Sequence, residues 1–94
     1  MRFLIIDDSP YDRELIKRTI QQAIPAATYV EILHQQEFEE AMLELDFTMV
    51  ITDYQLKWTT GLEILKAIRS RSSDLLVIMV TDVTQGIKWP PKMA

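Results

Sequence analysis

The sequence predicts an α/β domain built as a doubly wound parallel sheet. Three observations predict it. Apolar runs of strand length alternate along the chain with segments whose apolar residues recur at three- and four-residue spacing. The runs are continuously apolar, as in strands covered on both faces. Three of them stop abruptly on acidic or hydroxyl residues, where open α/β sheets gather their chemistry.

Phe3-Leu4-Ile5-Ile6 is the first run and ends at Asp7-Asp8. Ser9-Pro10 then has the form of an N-cap followed by proline at the first helical position. Leu15, Ile16, Thr19, Ile20, Ala23 and Ile24 form one face of that helix, which Pro25 stops. Thr28 to Ile32 is β-branched and partly alternating, and predicts a second strand. Phe38, Ala41, Met42 and Leu45 give a second helical stripe. Phe47 to Thr52 predicts a third strand ending at Asp53. Leu62, Leu65 and Ile68 mark a third helix, with Arg69 and Arg71 near its C-terminal end, where cations are favoured. Leu75 to Val80 is the most apolar run and predicts a fourth strand, ending at Thr81-Asp82. The βαβαβαβ order implies right-handed crossovers with helices on both faces.

The totals suit one small soluble domain: 94 residues, 48% hydrophobic, 26% charged and no cysteine. Without cysteine there are no disulfides and no thiolate metal sites. A net charge of −4 argues against this domain gripping nucleic acid by itself. The apolar run in MRFLIIDD is too short for a signal peptide, and no stretch approaches the roughly 20 apolar residues of a membrane span. A cytoplasmic protein without membrane attachment is expected.

With strand order 2-1-3-4, the ends of strands one, three and four lie side by side. Asp7, Asp8, Asp53 and Thr81 then share one crevice. Two carboxylates about 4 Å apart repel by about 4 kcal/mol at an effective dielectric near 20. Either one stays protonated or a cation sits among them. Oxygen-only ligands with positions left for water suit Mg²⁺. Taken singly, Asp-Asp-Ser could be only a helix cap and Asp53 only a turn residue. It is their joint placement at neighbouring strand ends that points to a site.

LIIDDSP at residues 4–10, VITDYQL at 50–56, Gly61 eight residues after Asp53, and VIMVTD at 77–82 resemble the receiver domains of two-component response regulators, including the chemotaxis receivers. The resemblance implies a flavodoxin-like receiver fold. It implies that Asp53 accepts a phosphoryl group from a histidine kinase or histidine phosphotransfer protein. It implies Mg²⁺ held by Asp8, Asp53 and the backbone carbonyl of Gln55, with Asp7 acting mostly through a metal-bound water. The Thr81 hydroxyl would contact the phosphoryl group and couple it to a conformational shift.

Four departures from the family pattern stand out. Lys57 occupies the position four residues after the acceptor that is usually proline. Asp82 follows the switch threonine, where a small residue is usual. The lysine that pairs with the phosphoryl group would fall beyond Ala94, and Lys88 and Lys92 lie too near Thr81 to replace it. The fifth strand and the last two helices have no counterpart. Residues 1–82 therefore read as an incomplete receiver and 83–94 as an atypical tail with Trp89 and Pro90-Pro91. An exposed, apolar fourth-strand edge would then favour self-association.

Two rivals remain. One is a degenerate receiver that serves only as an interaction or dimerisation module, which Asp82 and the missing lysine favour. The other is a phosphatase of the haloacid dehalogenase type, which needs an Asp two residues after its nucleophile. Ser9 follows Asp7 and Gln55 follows Asp53 at that spacing, so neither fits. His34, Tyr54, Trp58 and the methionines read as loop, rim or core residues.

Overall fold

The computed structural model describes residues 1–44, 46–72 and 74–80. These form β1 (Arg2–Ile6), α1 (Pro10–Ala23), β2 (Thr28–Ile32), α2 (Gln35–Ala41), β3 (Met49–Asp53), α3 (Gly61–Arg69) and β4 (Leu76–Val80). All neighbouring strands pair parallel, as the alternating pattern predicts, in the order β2-β1-β3-β4 that the receiver resemblance implies.

Local signals set the helix starts. Ser9 caps α1, its hydroxyl accepting from the Asp12 amide at 3.2 Å, and Pro10 opens the helix. Thr60 caps α3 by accepting from the Glu63 amide at 3.3 Å. At the other end of α3, the Arg69 guanidinium donates to the Leu75 carbonyl at 2.6 Å and tethers the helix exit to the entry of β4.

The two faces of the sheet carry separate cores. On one, Leu4, Ile6 and Val50 pack with Phe38 and Met42 from α2 and its exit, and with Ile64 and Ile68 of α3. On the other, Phe3 and Ile51 meet Ile16, Ile20 and Ile24 of α1 and its C-cap. Helices thus cover both faces.

Several expectations need adjustment. β3 starts at Met49, not Phe47; Phe47 is buried ahead of the strand, with the Arg2 guanidinium stacked over its ring at 4.6 Å. α2 ends at Ala41, and Leu45 of its expected stripe lies outside the described residues. The α1 stripe is narrower than its spacing suggests: Ile16, Ile20 and Ile24 face the sheet, while Leu15 is exposed. In α3 the inward positions are Gly61, Ile64 and Ile68, and Leu62 points to solvent. The phase of α3 is set at its first residue, where only glycine fits against the end of β3.

Candidate functional site

The register of β1 against β3 pairs Ile6 with Thr52. Asp7 and Asp53 are therefore the next residues along two adjacent parallel strands, at the carboxyl edge of the sheet. Thr52 is fully buried, and its hydroxyl donates to the Asp53 carbonyl at 3.0 Å. Beyond Asp53, the chain makes a tight loop closed by Leu56 N–H donating to the Thr59 carbonyl at 3.1 Å and Gly61 N–H donating to the Tyr54 carbonyl at 2.6 Å.

Gly61 is what lets that loop close. A Cβ at this position would lie 2.8 Å from the Asp53 carbonyl oxygen and 3.0 Å from the Tyr54 Cα. Both are backbone atoms and cannot swing aside. The start of α3 can approach the end of β3 only without a side chain.

Asp7 is the most buried acid among the described residues, at 3% exposure. Its carboxylate accepts the Ser9 amide at 2.9 Å. Burial nevertheless dominates and pushes its carboxyl up from 3.8 to about 6, with the negative charges of Asp53, Asp12 and Asp8 adding to the effect and the Ser9 bond opposing it.

Asp8 bridges to the next loop. Its carboxylate accepts the backbone N–H of Lys57 at 2.5 Å, joining the β1–α1 loop to the β3–α3 loop. The Lys57 side chain is exposed.

Behind the acid pair stands a polar brace. Arg13 of α1 donates to the Asp7 main-chain carbonyl at 2.7 Å and to Glu31 of β2 at 2.8 Å. Lys17 donates to the other Glu31 oxygen at 2.9 Å. The Lys17 hydrogen bond, with help from Arg13, holds the Glu31 carboxyl below its usual range. Sequence reading missed Arg13 and Glu31; their only signal was an opposite-charge pair on an otherwise apolar strand and its preceding helix. Trp58 packs beside Phe38, ring centroids 6.0 Å apart, and its buried indole N–H has no acceptor among the described residues.

The structure thus brings Asp7, Asp8 and Asp53 to one edge, with Gln55 in the adjoining loop. Thr81 and Asp82 lie outside the described residues, as does the tail from 83 to 94. The donor set of carboxylate and carbonyl oxygens, with Asp8, Asp12 and Asp53 adding negative charge around the buried Asp7, fits a hard divalent cation. Among the described residues no three acidic or histidine side chains converge on one point closely enough to hold a metal by themselves. The expected set differs in taking one ligand from a main-chain carbonyl. No helix among the described residues is long and apolar enough to cross a membrane.

Comparison with known proteins bears on the family and the fold. The response regulator receiver domain pattern matches residues 3–88. Chemotaxis protein CheY1 of Helicobacter pylori is 32% identical over 94 residues, covering 94% of this chain and 71% of that protein. Among solved structures, the response regulator TrrA of Thermotoga maritima in complex with Mg²⁺-BeF superposes with a TM-score of 0.74 at 28% identity, covering 85% of this chain and 68% of TrrA. The same protein in complex with the histidine kinase ThkA gives a TM-score of 0.72 at 28% identity, covering 85% of this chain and 67% of that one.

Proposed function

This chain belongs to the response regulator receiver domain family, and on that premise we propose that it is a signalling switch that takes a phosphoryl group on Asp53. The observation that carries the reading is the register of β1 and β3, which sets Asp53 beside the buried, charge-crowded Asp7 at the carboxyl edge of the sheet. The phosphoryl donor is a phosphohistidine on a histidine kinase or histidine phosphotransfer protein, the kind of partner with which TrrA was solved.

In the transfer, an Asp53 carboxylate oxygen attacks phosphorus, the new P–O bond forms as the P–N bond breaks, and the departing imidazole nitrogen takes up a proton. A carboxylate is a weak nucleophile, so alignment and charge neutralisation carry most of the catalysis. Asp8, Asp53 and the Gln55 carbonyl would hold Mg²⁺, with Asp7 acting through a bound water. When bound, the ion supplies charge neutralisation to the phosphoryl oxygens. The chain's own contribution is to hold the acceptor still. Thr52 and Gly61 fix the Asp53 backbone, and Arg13 fixes that of Asp7. The Thr81 hydroxyl is assigned the switch role on the sequence pattern.

Incubation with acetyl phosphate and Mg²⁺ tests this by intact mass. A gain of one phosphoryl group that disappears in Asp53→Ala and in chelator is expected. No adduct under any condition would leave the chain as an interaction module only. Among the described residues β4 is an outer strand and exposes Leu76 (52%) and Ile78 (41%), and self-association through it belongs to the same proposal. Sedimentation showing a monomer at high concentration would remove that part.

A further inference from the structure

The Asp8–Lys57 hydrogen bond spans 49 positions of sequence and ties together the two loops that carry the expected metal ligands. Its donor is a backbone N–H, so it depends on residue 57 not being proline rather than on lysine chemistry. Proline is usual at this position in the family, and proline has no N–H. The contact is therefore a property of this chain's own sequence.

We propose that the Lys57 backbone amide is a positioning group for the cation site: it orients the Asp8 carboxylate and holds it at a fixed distance from the Gln55 carbonyl, two residues earlier in the same loop. This rests on the metal reading above. A carboxylate has two oxygens. The amide engages Oδ2, which leaves Oδ1 to face a cation. Donors of this kind fix the rotamer of a ligating carboxylate, and losing one typically costs about 10–100-fold in metal affinity. The bond joins a main-chain N–H to a carboxylate, the charge-assisted kind that is stronger than a neutral pair. The same loop is closed by Leu56–Thr59 and Tyr54–Gly61 backbone bonds. Fixing Asp8 to it thereby fixes Asp8 against Asp53 as well. The loops need not be ordered when the ion arrives, and that entropy cost is met on folding.

Two variants separate backbone from side chain. Lys57→Pro removes the N–H, and Lys57→Ala keeps it. Mg²⁺ titration followed by amide NMR is expected to show affinity weakened about 10-fold in Lys57→Pro and within about 2-fold of the parent in Lys57→Ala. Unchanged or tighter binding in Lys57→Pro would overturn the proposal, the latter meaning that the amide competes with the ion. Equal weakening in both variants would overturn it in favour of the side chain.

A second measurement does not depend on Lys57→Pro folding. In the metal-free parent, the Lys57 amide proton is expected downfield, to move upfield in Asp8→Ala, and to stay downfield when Mg²⁺ is added. An amide insensitive to Asp8→Ala, or one released by Mg²⁺, overturns the proposal even if the ion binds. A parent chain that binds no Mg²⁺ overturns the metal reading itself, and the positioning role with it, while the Asp8→Ala comparison still reports whether the hydrogen bond exists.

Discussion

Gly61 lies so close to Asp53 that a Cβ added to it would sit 2.8 Å from the Asp53 carbonyl oxygen. The acceptor's backbone and the first turn of α3 are thus packed without space for one methyl group. Alanine is a better helix former than glycine by about 1 kcal/mol, so in an open helix Gly→Ala would stabilise. Here the clash with rigid backbone outweighs that gain. Gly61→Ala is expected to lower unfolding stability by about 1–3 kcal/mol, measured by urea denaturation, and to reduce phosphoryl transfer to Asp53. A variant at least as stable as the parent would show that the loop yields easily.

Asp7 gives a pH prediction. Its carboxyl is raised in the folded chain from 3.8 to about 6, chiefly by burial, so its charged form is disfavoured by folding. Below 3.8 the group is protonated in both states and carries no penalty. As pH rises towards 6 the folded state loses stability relative to the unfolded one, and above 6 the penalty is constant. In chelator, Asp7→Asn is expected to raise stability at pH 7.5 by on the order of 1–3 kcal/mol and to change it little at pH 3.5. Mg²⁺ should stabilise the parent more than the variant. Thermal melts at the two pH values, with and without the ion, check both statements; a variant less stable at pH 7.5 would refute the sign.

Arg13 carries a prediction about the brace. Its side chain is 11% exposed and serves both the Asp7 carbonyl and Glu31. Lys17 remains on Glu31 when Arg13 is removed. The main loss in Arg13→Ala therefore falls on the buried Asp7 carbonyl, and a cost of about 1.5–3 kcal/mol is expected. Arg13→Lys should recover only part of it, because an ammonium lacks the planar fork that reaches both partners. Full recovery by lysine, read by urea denaturation, would show that charge alone suffices.

The parallel sheet and the acidic strand ends were legible in the sequence because both depend on residue type and spacing, whereas the strand order followed from the resemblance to the receiver family. Continuous apolar runs report burial on two faces, and Ser9-Pro10 reports a helix start. Phase was harder to read. Leu62, Leu65 and Ile68 fit a helical stripe as well as Gly61, Ile64 and Ile68 do, and the choice follows from a backbone contact between Gly61 and Asp53 that periodicity does not contain. The supports of the site were hidden for a related reason. The Lys57 donor is a main-chain N–H, and Arg13 acts on a main-chain carbonyl. Neither partner is a side chain whose letter could have suggested the pairing.

The central claim is that Asp53 is a phosphoryl acceptor in an Mg²⁺-dependent site. Fluorine NMR of the chain with beryllofluoride tests it most directly, because this group mimics a phosphoryl bound to a carboxylate. A bound resonance is expected that requires Mg²⁺ and vanishes in Asp53→Ala. Its absence from the parent chain, or its persistence in Asp53→Ala, would contradict the account.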